Sequence, residues 1–349
     1  MKKKKLYLEI MRVLCILTVL FCHRPAYHST DILQPVTISY AVKALNSIVF
    51  RCCIPMFFMI SGILLLGRQE PVKKIFTKRI PRILGAMVIA YLCYLFCFPG
   101  RPDLQAMINP INWFFYAYLG FLLLLPIYRW IAQQSKKDEV IYLLILMFVA
   151  YTGYGVIETA GLNAQLPVNI LHYANLDRWP NELWALMFPL TGYLITHLDE
   201  KGFTQKERKI FWTIVAVLAV LSVIGAFFFY LQAIRTENTL MRDGAQQYFL
   251  FAPSCLIFEI IRRVLEPRED KIPEKAAKVI ETLGASVFGI FLIEVQTPFS
   301  WLLYETMEPL LVPVLGPYFP SAVCAVVEFV LYAALISLLR LIPPVRKIL

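Results

Sequence analysis

Charge is scarce in this sequence: 17% of its 349 residues are Asp, Glu, Lys or Arg, and 59% are apolar. Soluble domains carry about 25% charged residues. With a mean hydropathy of +0.63, the apolar content exceeds what one soluble core would hold, which excludes an ordinary soluble enzyme. Metal-type Cys-x-x-Cys spacing is also missing. The eight cysteines (Cys15, Cys22, Cys52, Cys53, Cys93, Cys97, Cys255 and Cys324) stand in or beside apolar runs. They read as small packing residues, and no metal is expected. There is no low-complexity tract and no internal repeat of the kind that marks many transporters, and no appended soluble domain is expected. One bundle spanning residues 1–349 is the expectation.

What is present instead is a series of apolar runs, each close to the 17 to 25 residues a bilayer-crossing helix needs. Ten candidates stand at 6–26, 45–66, 83–99, 113–132, 140–157, 183–198, 210–232, 247–264, 283–303 and 319–341. The net charge of +10 does not point to nucleic acid, because the basic residues alternate between sides of these runs. If the N-terminus is cytoplasmic, 26 of the 34 Lys and Arg residues fall on the inner side, as the positive-inside rule requires. The sequence therefore predicts an all-α, multi-pass protein of the cell (inner or plasma) membrane, with about ten helices, both termini cytoplasmic and lipids as its surroundings. Lys2 to Lys5 before an apolar run imitate a signal peptide. Glu9 and Arg12 interrupt that run and no small-x-small cleavage site follows, so the segment is expected to stay.

The first run carries Glu9, Arg12 and His23 among apolar neighbours. At about 100° per residue, Arg12 and His23 point within about 20° of each other, roughly 16 Å apart along the axis. Glu9 falls about 60° from Arg12 by the same arithmetic. One polar stripe thus runs from the inner end toward the outer. His23 has the chemistry of a general base at neutral pH, or it is an interfacial histidine and nothing more. Arg12 either snorkels to the headgroups, paired with Glu9 at i, i+3, or is buried and faces an anionic ligand. Glu294 sits in the ninth run near mid-membrane, where a lone carboxylate is costly and is usually functional or paired. Glu259 and Glu328 are also intramembrane, without a second supporting feature. Arg51, opening the second run from outside, either binds an acceptor or anchors the interface. The outer loops 24–44 and 158–182 are the longest, and the latter has a polar and aromatic content suited to sugars. The basic segment Pro71 to Arg82 is short and amphipathic, and hugging anionic headgroups would account for it as well.

LEIMRVLCILTVLFCH followed by RCCIPMFFMISGILLL resembles the opening of the acyltransferase-3 family of integral-membrane acyltransferases. RIPR at Arg79 to Arg82 is similar to that family's cytoplasmic Arg-x-x-Arg element, and INWFFYAYLGFLLLLPIY to its Trp-Phe helix. LMFPLTGYLI and GASVFGIFLIE resemble later helices. The resemblance implies a ten-helix core and transfer of an acyl group, commonly acetyl from acetyl-CoA, to hydroxyls of extracytoplasmic or lipid-linked glycans. It places Arg12 and His23 at the family's essential positions, with His23 assisting attack by the acceptor hydroxyl, and implies that Arg79 and Arg82, with Lys78 beside them, hold the CoA phosphates. Glu9, Arg51 and Trp113 become candidates for substrate contact. One departure stands out: the ninth-helix motif commonly ends Tyr-Leu-x-His in the family, and this chain has Phe291, Leu292, Ile293 and Glu294. Glu294 is expected to orient His23, to bind a sugar hydroxyl, or to mark a subgroup with altered acceptor or lost activity. The rival reading is a receptor or transporter of the same fold that binds a small polar ligand without acylating it.

Overall fold

The structure is a computed structural model that describes residues 5–24, 38–97, 113–160, 184–316 and 319–348. Among these residues there are helices and turns and no strand. Seven helical segments are long and apolar enough to cross a membrane: Ala44–Leu65, Ile75–Cys97, Phe114–Gln134, Lys137–Ile157, Gln205–Thr236, Glu274–Glu294 and Phe319–Leu339. Three further apolar runs form shorter helices, Leu6–Cys22, Trp184–Thr196 and Phe251–Leu265. The loops expected at 24–44 and 158–182 fall largely outside the described residues.

One run expected to be a single span, 283–303, is two helices. Glu274–Gln296 ends and Phe299–Leu315 begins at Thr297-Pro298. The reason is local: proline disfavours the helical region for the residue before it, and Thr297 is extended at φ −125° and ψ 150°. This moves Glu294 from mid-span, as the apolar run suggested, to within two residues of a helix end.

The helices gather into two compact units, Met1–Ala26 with Gln69–Leu124 and Arg262–Leu349, and Tyr27–Arg68 with Leu125–Ile261. In the first, the Leu6–Cys22 helix packs on Glu274–Gln296 and Phe319–Leu339, and Glu274–Gln296 packs in turn on Ile80–Cys97. Buried Leu8, Met11, Cys15, Ile16, Val19 and Leu20 recur every three or four residues, the spacing of one helix face. Its orphan amide at Tyr7 donates to Glu269 Oε1 at 2.5 Å, which also sets a carboxylate at the positive end of the helix dipole. Gly284 is where this helix and Glu274–Gln296 come closest at Glu9. A Cβ on Gly284 would stand 3.0 Å from Glu9 Cβ and closer still to its carboxylate.

In the second unit the tightest pair is Cys53–Leu65 with Trp184–Thr196. Gly62 meets the backbone of Pro189 and Gly192 meets Met59, with no room for a side chain at either. Small residues let apolar helices approach in this way. The 32-residue helix Gln205–Thr236 opens on a Thr204–Glu207 capping box, which supplies two orphan donors with acceptors.

Candidate active site at the two ends of the first helix

Both ends of the Leu6–Cys22 helix carry ionisable side chains, and all of those described next belong to the first unit. Arg12 follows Leu8 by four residues and precedes Cys15 and Val19 by three and seven, so it lies along a row whose other members are buried. Its Nη1 donates to Glu9 Oε2 at 3.3 Å, and the two side chains are 34% and 13% exposed. The i, i+3 pair read from the sequence is therefore formed, on the packed side of the helix.

The basic element lies at this same end. A π-helical turn, Ile75–Arg79, leads into Ile80–Cys97, and such turns rotate side chains out of the α-helical sequence of directions. Arg79 donates to Glu70 Oε2 at 2.5 Å, Lys74 pairs with the other oxygen of Glu70 at 2.9 Å, and Lys78 is exposed. Arg82 donates through Nε to the Ile348 carbonyl at 2.8 Å, a cation at the negative end of the short helix Pro343–Ile348. Arg82 also lies within electrostatic reach of Arg12, Arg79, Arg340 and the Tyr118 hydroxyl. Four guanidinium groups thus share one neighbourhood with two carboxylates, Glu9 and Glu70.

At the other end the helix stops at His23, whose backbone N–H still reaches the Val19 carbonyl at 3.2 Å. His23 Nδ1 lies 2.6 Å from Glu294 Oε1; the histidine is 48% exposed and the carboxylate 7%. Two elements distant in sequence are joined here, because the Thr297-Pro298 break places Glu294 at the end of its own helix. With Nδ1–H donating to the carboxylate, Nε2 is the free lone pair, directed away from Glu294. Glu294 Oε2 is buried and makes no hydrogen bond.

Beside this pair is one that the sequence reading missed. Arg24 and Glu328 are both buried and form an ion pair. Arg24 Nη1 donates to the Ser300 carbonyl at 3.1 Å and its guanidinium lies 5.5 Å from the centre of the Tyr304 ring. The Ser300 hydroxyl donates to Glu328 Oε1 and stands 2.9 Å from the Tyr332 hydroxyl. The signal was available: a carboxylate inside an apolar run demands a cation, and Arg24 directly follows His23.

Aromatic rings fill the space next to Glu294. Phe291 packs edge-on against Phe114 and Phe115 at 5.2 and 5.7 Å, Phe115 meets Phe288 at 5.8 Å, and Phe114 stacks with Tyr118 at 6.0 Å. Of the remaining candidates, Arg51 lies inside the segment Ala44–Leu65, at the junction of two helices, and does not open it as expected. It belongs to the second unit. Trp113 begins its helix, and its side chain falls outside the described residues. Glu259 is buried in the second unit. No group of three His, Cys, Asp or Glu side chains able to hold a metal ion occurs among the described residues, and the cysteines form no disulfide.

A family profile described as an acyltransferase domain matches residues 5–339, which takes in every residue of both helix ends except Arg340 and Ile348. No curated relative and no solved structure matches the chain.

Proposed function

The chain belongs to the acyltransferase-3 family and is a multi-pass membrane acyltransferase; we propose that it moves an acyl group, acetyl in the first instance, from cytoplasmic acyl-CoA to a hydroxyl of an extracytoplasmic or lipid-linked glycan. The observation that carries this reading is the 2.6 Å contact between His23 and Glu294, at the opposite end of one helix from the guanidinium groups of Arg12 and Arg82. His23 Nε2 takes the proton of the acceptor hydroxyl as its oxygen attacks the thioester carbonyl. The C–S bond then breaks, and the proton passes to the departing CoA thiolate. Glu294 holds the imidazole in the tautomer that leaves Nε2 unprotonated and stabilises the imidazolium that forms, the part a carboxylate plays beside any general-base histidine.

Arg79, Arg82 and Lys78 take the CoA phosphates, for which paired guanidinium forks are suited. Glu70 and the Ile348 carbonyl hold these arginines in place until an anion arrives, and each guanidinium has further N–H donors to offer. Arg12 lies between, about 16 Å from His23 along the helix axis, and attracts the donor toward the stripe. Glu9 fixes Arg12. Trp113 is assigned to the acceptor.

The test is direct. Purified protein in detergent is offered labelled acetyl-CoA with a panel of glycans, and label should move to a glycan hydroxyl. Binding of acetyl-CoA with no transfer to any acceptor would instead favour a receptor or transporter.

A further inference from the structure

We infer that Glu328 is a positioning residue, which holds Arg24 and thereby reserves Glu294 for His23. The inference rests on the reading of His23 and Glu294 as the proton-handling pair. Four ionisable groups meet at this end of the first helix, and they are sorted into two pairs. Arg24 is bound by Glu328, by the Ser300 carbonyl and by the face of Tyr304. His23 is bound by Glu294.

The sorting is not forced by distance alone. Arg24 and Glu294 lie within electrostatic reach of each other. Arg24 Nε and Glu294 Oε2 are both buried, and neither makes a hydrogen bond. A guanidinium stays charged at any pH the protein meets, and a buried cation without a counter-ion is strongly disfavoured. If Glu328 lost its charge, Arg24 would turn to the next carboxylate, which is Glu294. His23 would then share or lose its partner. The reverse loss is mild: without Arg24, Glu328 is fully buried beside the Ser300 hydroxyl and can take up a proton, leaving His23 with Glu294 as before. The other groups facing these two cations are Cys22 for His23, and Cys324, Tyr304 and Tyr332 for Arg24. None of them is a second anion at neutral pH in an apolar site.

The consequence is an asymmetry that a plain scaffold role does not produce. It is read on full-length protein in detergent by the rate at which diethyl pyrocarbonate carbethoxylates His23, corrected with the same variant carrying His23→Gln. This needs neither donor nor acceptor, so it reports even if no acyl transfer is found, and the two failures stay distinct. Glu328→Gln should speed the modification about three- to tenfold near pH 6, where an imidazole that keeps its carboxylate holds a second proton and one that has lost it does not. Arg24→Gln should leave the rate within about twofold of wild type, and Arg24→Gln with Glu328→Gln should return it there, since no cation remains to compete. In the transfer assay Glu328→Gln should lower kcat about tenfold with KM for acetyl-CoA nearly unchanged, and the double variant should recover it. Should Glu328→Gln fail to fold, Glu328→Asp, which draws the charge back by one methylene, must show the same acceleration in smaller degree. Equal effects of Arg24→Gln and Glu328→Gln, no rescue in the double variant, or an unchanged rate in the folded variant would each overturn the inference.

Discussion

The two ends of the first helix handle charge in opposite ways. Around Arg12, four guanidinium groups (Arg12, Arg79, Arg82 and Arg340) share the space with Glu9 and Glu70, Arg12 is a third exposed, and Arg82 is on the surface. Around His23, an imidazole and a guanidinium meet two carboxylates; Arg24, Glu294 and Glu328 are nearly sealed, and the imidazole is half exposed. An excess of positive charge at a partly open end suits a polyanion that comes and goes, because each arriving phosphate adds charge-assisted hydrogen bonds. With its charged groups paired and buried, this end offers an incoming ion little, while the half-exposed imidazole stays within reach. What can change there at little cost is the place of one proton. Under the proposed function a single helix separates binding from chemistry, and substitutions at its ends should change different kinetic constants.

The largest effect that would sharpen this contrast is that of His23→Ala. Labelled transfer should fall about 10²- to 10⁴-fold, and equilibrium binding of acetyl-CoA should stay within about twofold. Next comes Arg79→Ala with Arg82→Ala at the other end. Losing two charge-assisted contacts of about 1.5 kcal/mol or more each should weaken acetyl-CoA about a hundredfold in a binding titration, with kcat at saturating donor nearly kept. That binding should also weaken as salt is added, since the contacts are partly exposed. Glu294→Gln keeps a hydrogen-bond acceptor for His23 but removes the charge, so kcat should drop about tenfold while KM for the donor holds. The smallest effect is that of Gly284→Ala. Its methyl meets the Glu9 carboxylate, so thermal unfolding should register a loss of about 1–3 kcal/mol, and any kinetic change should appear in KM for acetyl-CoA. A rise in KM from Glu294→Gln, or a fall in kcat from the arginine pair, would break the contrast.

Much of the first helix was legible before any coordinates. The i, i+3 spacing gave the Glu9–Arg12 pair, which is a property of a single helix, whereas the row expected to join Arg12 to His23 runs past the helix, which ends at Cys22. Glu294 was found as a carboxylate inside an apolar run, but hydropathy ran on through Thr297-Pro298, whereas the helix stops at Gln296. Glu328 was seen without its partner, Arg24. They are 304 positions apart, and pairing across such a distance depends on which helices pack, which one sequence does not display. Arg51 was placed at the opening of the second run, whereas it closes the helix Ile38–Arg51, seven residues inside the apolar segment that begins at Ala44.

The central claim is that donor and acceptor are served from opposite ends of one membrane helix. The measurement that meets it head-on uses sealed proteoliposomes with labelled acetyl-CoA outside only and the glycan acceptor trapped inside. The account predicts label on the enclosed glycan, abolished by His23→Ala and reduced by Arg79→Ala with Arg82→Ala. Label that appears only when donor and acceptor are on the same side of the bilayer would contradict it.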